Sequence, residues 1–173
     1  ECLESNRLAS YTEKSTRYQK WSEDSFHVPK ELDDQPELKE KYIQTSQFLF
    51  RTYHAALPIL RNEIGKNIPK RQDETEAAWE RRIRSDYVDV CRFLLPASAL
   101  ANVGMTINAR ALEHAIQKML SHPLAEVQAM GKEIKQVAQL NVPTLVKYAE
   151  AVPYWIKATQ SFTNLSTLDQ QSQ

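Results

Sequence analysis

Glycine is scarce: three of 173 residues. Few positions are left for the tight hairpin turns that an all-β fold needs. Cysteine is nearly as rare. Cys2 and Cys91 fit neither a disulfide framework nor a zinc pattern and read as incidental or buried thiols, with no metal site expected. Neither sign of charge dominates, because 22 Lys and Arg face 22 Asp and Glu. That excludes the basic surplus of a protein that binds a nucleic acid polymer. No apolar run approaches the roughly 18 residues of a membrane span, and no signal-peptide pattern opens the chain. The expectation is a soluble, cytoplasmic protein. The chain opens at Glu1 rather than methionine, as a fragment, a processed chain or the ordered part of something longer would.

What is present is helical periodicity. Leu38, Tyr42, Leu49, Tyr53, Leu57, Leu60 and Ile64 recur at helical spacing and predict a long helix within 36–66, kinked or split at Pro58. Asp73, three residues before Glu76, resembles a capping box opening a second helix, with Trp79, Ile83, Tyr87 and Val90 on its buried face. "ALANVGMTIN" reads as a strand. "ARALEHAIQKML" reads as a helix burying Leu112, Ala115, Ile116 and Met119. A further helix after the break at His122 and Pro123 buries Val127, Met130, Ile134 and Val137. The polar stretch 161–173 reads as a disordered tail. The fold class is therefore α+β, mostly helical with few strands, at one domain's length.

Candidate chemistry begins in "RLASYTEKSTRYQKW", residues 7–21. If residues 11–19 are extended, Glu13, Ser15 and Arg17 share one face at steps of roughly 7 Å. A carboxylate, a hydroxyl and a guanidinium fork in a row suit a nucleotide; a solvated edge strand with an ordinary ion pair fits as well. Further on, Asn108 stands where a helix N-cap belongs and Arg110 in the first turn. An arginine there opposes the helix dipole, and a bound phosphate would give it a reason. Arg92 beside the apolar run of "CRFLLP" is a third candidate.

These three segments, in this order, resemble the flavin-dependent thymidylate synthases. That family's signature is Arg-His-Arg-x-x-Ser-x-Asn-Glu-x-Ser-x-Arg-Tyr, and "SNRLASYTEKSTRY" keeps Arg7, Ser10, Glu13, Ser15, Arg17 and Tyr18. "RFLLP" resembles its Arg-x-x-Leu-Pro, and "NARAL" its Asn-Ala-Arg-x-Leu helix start. His122 and Glu126 match its His-x-x-x-Glu helix start. The resemblance spans residues 5 to about 148, within a thymidylate-synthase-like domain over 1–160. It implies reductive methylation of dUMP to dTMP with FAD, NADPH and methylenetetrahydrofolate, by a homo-oligomer, dimer or tetramer, with active sites between subunits. It implies that Glu13, Ser15, Arg17 and Arg92 hold dUMP, and that Arg7, Asn108, Arg110 and His114 face FAD. Three departures stand out. Ser5 and Asn6 replace the first two members of the Arg-His-Arg triplet, and Thr12 replaces the signature asparagine. The family's uracil-polarising arginine falls on Met119, or on Lys118 if one residue is deleted; Lys118 is then the catalytic candidate. The alternative to an active enzyme is a degenerate copy that binds nucleotide or flavin, or that supports assembly beside a catalytic partner.

Overall fold

The computed structural model describes residues 2–171, with side-chain surroundings through residue 164. Strand β1 (Ala9–Glu13) is followed by a 3-10 turn at Thr16–Tyr18, helix α1 (Pro36–Asn67) and helix α2 (Glu76–Cys91). Strand β2 (Val103–Ile107) precedes helices α3 (Ala109–Leu120), α4 (Ala125–Asn141), α5 (Pro143–Val146) and α6 (Pro153–Gln171). The two strands form one two-stranded sheet, as expected of a mostly helical α+β fold. Where one domain's length was read, the chain divides into two compact units. The first comprises residues 1–12, 29–31 and 104–173; the second comprises 13–28 and 32–103. Among the described residues no helix is long and apolar enough to cross a membrane.

The second unit is built on α1 and α2. Helix α1 is not split: it begins at Pro36, where a missing N–H costs nothing, and continues through Pro58. Pro58 only removes the donor that would have reached the His54 carbonyl. Phe50 and Tyr53 pack with Trp21, Phe26 and Cys91, while Ile83, Tyr87 and Val88 form an adjoining cluster. Leu57 and Leu60 border both clusters and join them into one core. Burial pushes the Cys91 thiol above its usual range, which keeps it protonated and inert. Val90 is exposed rather than buried. The cap of α2 is Thr75, whose hydroxyl accepts from the Ala78 N–H at 3.2 Å, rather than Asp73. Thr75 lies three residues before Ala78, the N3 position that an N-cap oxygen can reach.

Glu74, beside that cap, is gripped by Arg82 through bonds of 2.9 and 2.7 Å. Hydrogen bonding to Arg82 lowers its carboxyl from 4.5 to about 2. A depressed carboxyl stabilises the fold above its unfolded value, and that contribution drains away as pH falls towards the folded one. We expect Arg82→Gln to flatten the acid dependence of urea stability between about pH 4.5 and pH 2. Unchanged slopes in urea melts across that window would refute this.

The first unit buries Ala115, Ile116, Met119, Val127, Ala138, Val146 and Ala149. Helix α3 buries the face its sequence predicts. Helix α4 does not: Val127 is buried, but Val137 is 62% exposed, and Gly131 and Ala138 carry the contact instead. At Gly131 even a methyl would crowd the packing, because a Cβ built there would lie 2.8 Å from the Met119 Cβ. Of the tail expected over 161–173, the backbone to Gln171 is helical within α6; residues 172 and 173 lie outside the described residues.

Candidate functional site

The row of polar side chains anticipated over 11–19 is cut short. β1 ends at Glu13, and Ser15 caps the 3-10 turn, its hydroxyl accepting from the Arg17 N–H at 3.4 Å. Serine competes for backbone donors in this way and so stops the strand. Glu13, Ser15 and Arg17 therefore do not share a strand face.

The turn sends Arg17 elsewhere. Its Nε and Nη2 donate to the two oxygens of Asp89, at 2.8 and 2.5 Å. Arg92 reaches the same carboxylate, Nε to Oδ1 at 3.5 Å. Two arginines far apart in sequence thus meet at one acidic side chain, which the sequence reading did not identify. Hydrogen bonding to Arg17 holds the Asp89 carboxyl below its usual range, so it remains a counter-ion at neutral pH. Both guanidinium groups are about two-fifths exposed and can turn spare donors to an incoming anion. Arg92 also lines a cavity of about 330 Å³ with Glu13, Thr16, Gln19, Trp21 and Pro96. Its lining offers a carboxylate acceptor and a guanidinium donor. Neither Ser15 nor Arg17 lines it.

A second cavity, of about 390 Å³, lies wholly within the first unit. It gathers all four residues implied for FAD, namely Arg7, Asn108, Arg110 and His114, together with Lys118. Asn108 caps α3, its side chain accepting from the Ala111 N–H at 2.9 Å. The Leu112 N–H donates to the Asn108 carbonyl. The amides of Ala109 and Arg110 remain for another acceptor at the positive end of the helix. Buried Asn6 borders this cavity too, and its Oδ1 has no partner among the described residues. Cationic side chains, free helix amides and an orphaned acceptor match the phosphates and polar ring edges of a dinucleotide. Leu8, also on the rim, has φ of 60°, a left-handed backbone that branched side chains rarely adopt.

Burial separates the two candidates for the family's arginine position. Met119 is 0% exposed, inside the core. Lys118 lines the cavity and donates to the Ser5 hydroxyl at 2.8 Å. The residues that replace the triplet have taken structural roles. Ser5 Oγ donates to the Cys2 carbonyl at 2.8 Å, and Asn6 Nδ2 to the Leu3 carbonyl at 2.6 Å. His122 Nδ1 accepts from the Leu124 N–H at 3.2 Å just ahead of α4, and Glu126 lies in that helix's first turn. No group of His, Cys, Asp and Glu among the described residues could hold a metal ion.

Comparison with known proteins places these features in a family. The family model for thymidylate synthase complementing protein matches residues 1–144. A UPF0159 protein of Chlamydia pneumoniae is 33% identical over 153 residues, 86% of this chain and 29% of that protein. A UPF0159 protein of Thermoplasma acidophilum is 26% identical over 162 residues, covering 79% of this chain and 32% of its own length. The chain thus spans less than a third of the length of these curated relatives. With the family model matching most of its length, the chain belongs to the thymidylate synthase complementing proteins, the flavin-dependent thymidylate synthase family.

Proposed function

We propose that this chain is the ligand-binding part of a protein that reductively methylates dUMP to dTMP. The reading rests on family membership, which supports a thymidylate-synthase-like function. The observation that carries it is the meeting of Arg17 and Arg92 at Asp89, beside a cavity lined by Glu13. In this reading the two arginines anchor the nucleotide phosphate, because a phosphate monoester needs about two fixed positive charges. Glu13 accepts from the sugar or base, and Ser15 sets the turn that aims Arg17. Arg7, Arg110, Asn108 and His114 hold FAD at the start of α3, and Lys118 is the nearest substitute for the uracil-polarising arginine. When bound, FAD supplies the hydride; NADPH and methylenetetrahydrofolate are the reductant and the carbon donor of the same reaction. The exposed apolar side chains Leu140, Tyr148, Tyr154 and Phe162 support assembly as a dimer or tetramer, and the reaction's soluble reactants fit the cytoplasm.

A second reading, a non-catalytic copy that binds nucleotide or flavin beside a catalytic partner, is favoured by burial of Met119 and by the structural roles of Ser5 and Asn6. Lysine replaces a planar guanidinium fork poorly, and losing one preorganised charge-stabilising group costs about 100- to 1000-fold in rate. Two measurements in order test both readings. FAD is titrated first, followed by its visible absorbance; tritium release from labelled dUMP is measured second. Saturable FAD and dUMP binding with turnover supports the enzyme. Binding without turnover supports the copy. Binding of neither ligand to the full-length protein refutes both.

A further inference from the structure

A different cleft, of about 400 Å³, is lined by residues of α1, α2 and the segment following the 3-10 turn, all within the second unit. Three cations line it, Lys20, Arg61 and Arg84, and no carboxylate does. Arg61 is neutralised by Glu80 at 2.6 Å. Arg84 donates to the Arg17 carbonyl at 3.4 Å, and neither it nor Lys20 has a salt-bridge partner among the described residues. Glu80 lies close enough for Arg84 to act on its charge, but its oxygens are taken by Arg61 and Tyr87. The walls are aromatic: Tyr53, His54, Tyr87 and Trp21.

One buried polar group here lacks a partner among the described residues. Tyr53 is 4% exposed, and its hydroxyl makes no protein hydrogen bond among the described residues but is not sealed from solvent. Trp21 is 9% exposed, and its indole Nε1 is buried without a partner. Buried donors are nearly always satisfied, so the indole N–H calls for an explanation. Burial pushes the Tyr53 phenol above its usual range, so it remains a donor at neutral pH. Cations without a salt-bridge partner among the described residues, a hydroxyl free to donate and ring-lined walls describe one kind of guest.

We propose that this cleft is a binding site for a small aromatic carboxylate, its ring packed among Tyr53, His54 and Tyr87 and its carboxylate held by Arg84 and Lys20. A planar carboxylate matches the guanidinium fork, and the Tyr53 hydroxyl supplies a third donor. The site shares Gln19 and Trp21 with the lining of the Glu13 and Arg92 cavity but draws on different cations, Lys20 and Arg84, and it needs neither dUMP nor flavin.

The test titrates 2-naphthoate into the 173-residue chain by calorimetry, with 2-naphthylmethanol and 2-naphthyl phosphate as controls. Saturable one-to-one binding of 2-naphthoate is expected. Arg84→Gln should weaken it roughly tenfold, the usual worth of a charge-assisted hydrogen bond. Tyr53→Phe, which keeps the ring, should weaken it about threefold. Arg84 is exposed, so the variant should keep the parent's circular dichroism. The uncharged alcohol should bind weakly and ignore Arg84→Gln. Absence of saturation, equal affinity in the Arg84→Gln chain, or tighter binding of the phosphate than of the carboxylate would each overturn the assignment.

Discussion

Met119→Arg should destabilise the first unit by about 4 kcal/mol, the usual penalty for an uncompensated buried charge, and should restore no activity. The substitution looks corrective on paper, since it returns the family's arginine to its ungapped position. The surroundings forbid it. Met119 is 0% exposed among Ala115, Ile116 and Val127, and Gly131 leaves no spare room opposite it. A guanidinium there loses its water and finds no carboxylate in the buried cluster around it. The expected result is a sharp drop in the urea midpoint. Lys118→Arg is the informative partner experiment. Lys118 already lines the cavity that holds Arg7 and His114, so stability should change by no more than about 0.5 kcal/mol. If FAD binds, this variant and not Met119→Arg should gain tritium release from dUMP. A Met119→Arg chain as stable as its parent would mean that the packing of α3 on α4 is wrong.

Arg17→Gln should weaken dUMP binding about 100-fold and leave deoxyuridine binding nearly unchanged, because the lost bonds are charge-assisted and directed at phosphate. Arg92→Gln should act in the same direction. The two effects should not add. Both guanidinium groups share Asp89, and groups in one network couple. Removing Arg17 also leaves the Asp89 charge without its bidentate partner, so it repels the incoming phosphate more strongly. A double variant no weaker than Arg17→Gln alone would fit that coupling. Equal losses for dUMP and deoxyuridine would instead place the phosphate elsewhere.

Helices α1 to α4 were legible because large apolar residues repeat along them; α6 was not, its polar second half having no such repeat and reading as a tail. The Asn108 cap was legible because its side chain has one common use before an apolar-periodic run. α4 shows the limit of this approach. Periodicity weighs Met130 and Val137, yet the contact is made by Gly131 and Ala138, whose value lies in being small. The nucleotide residues were legible one by one but not as a constellation. Ser15 has a backbone donor within reach and folds the row into a turn. Asp89 was invisible because an aspartate in "RSDYVDVC" looks like any residue on a solvated helix face. What distinguishes it is an arginine 72 residues earlier in the chain. Arg84 was missed for the complementary reason: what marks it is having no salt-bridge partner among the described residues.

The turn at Cys2–Asn6 bears on the direction in which this chain can drift. Ser5 and Asn6 stand where the family carries arginine and histidine, and both now hold backbone carbonyls, with Ser5 also receiving Lys118. Reverting either one alone removes those bonds before any flavin contact is regained. Each single replacement therefore begins with the loss of a local hydrogen bond that any new contact must offset. The turn also couples its two positions: Ser5 and Asn6 hold one short segment together, and replacing both at once should not cost the sum of the two single changes.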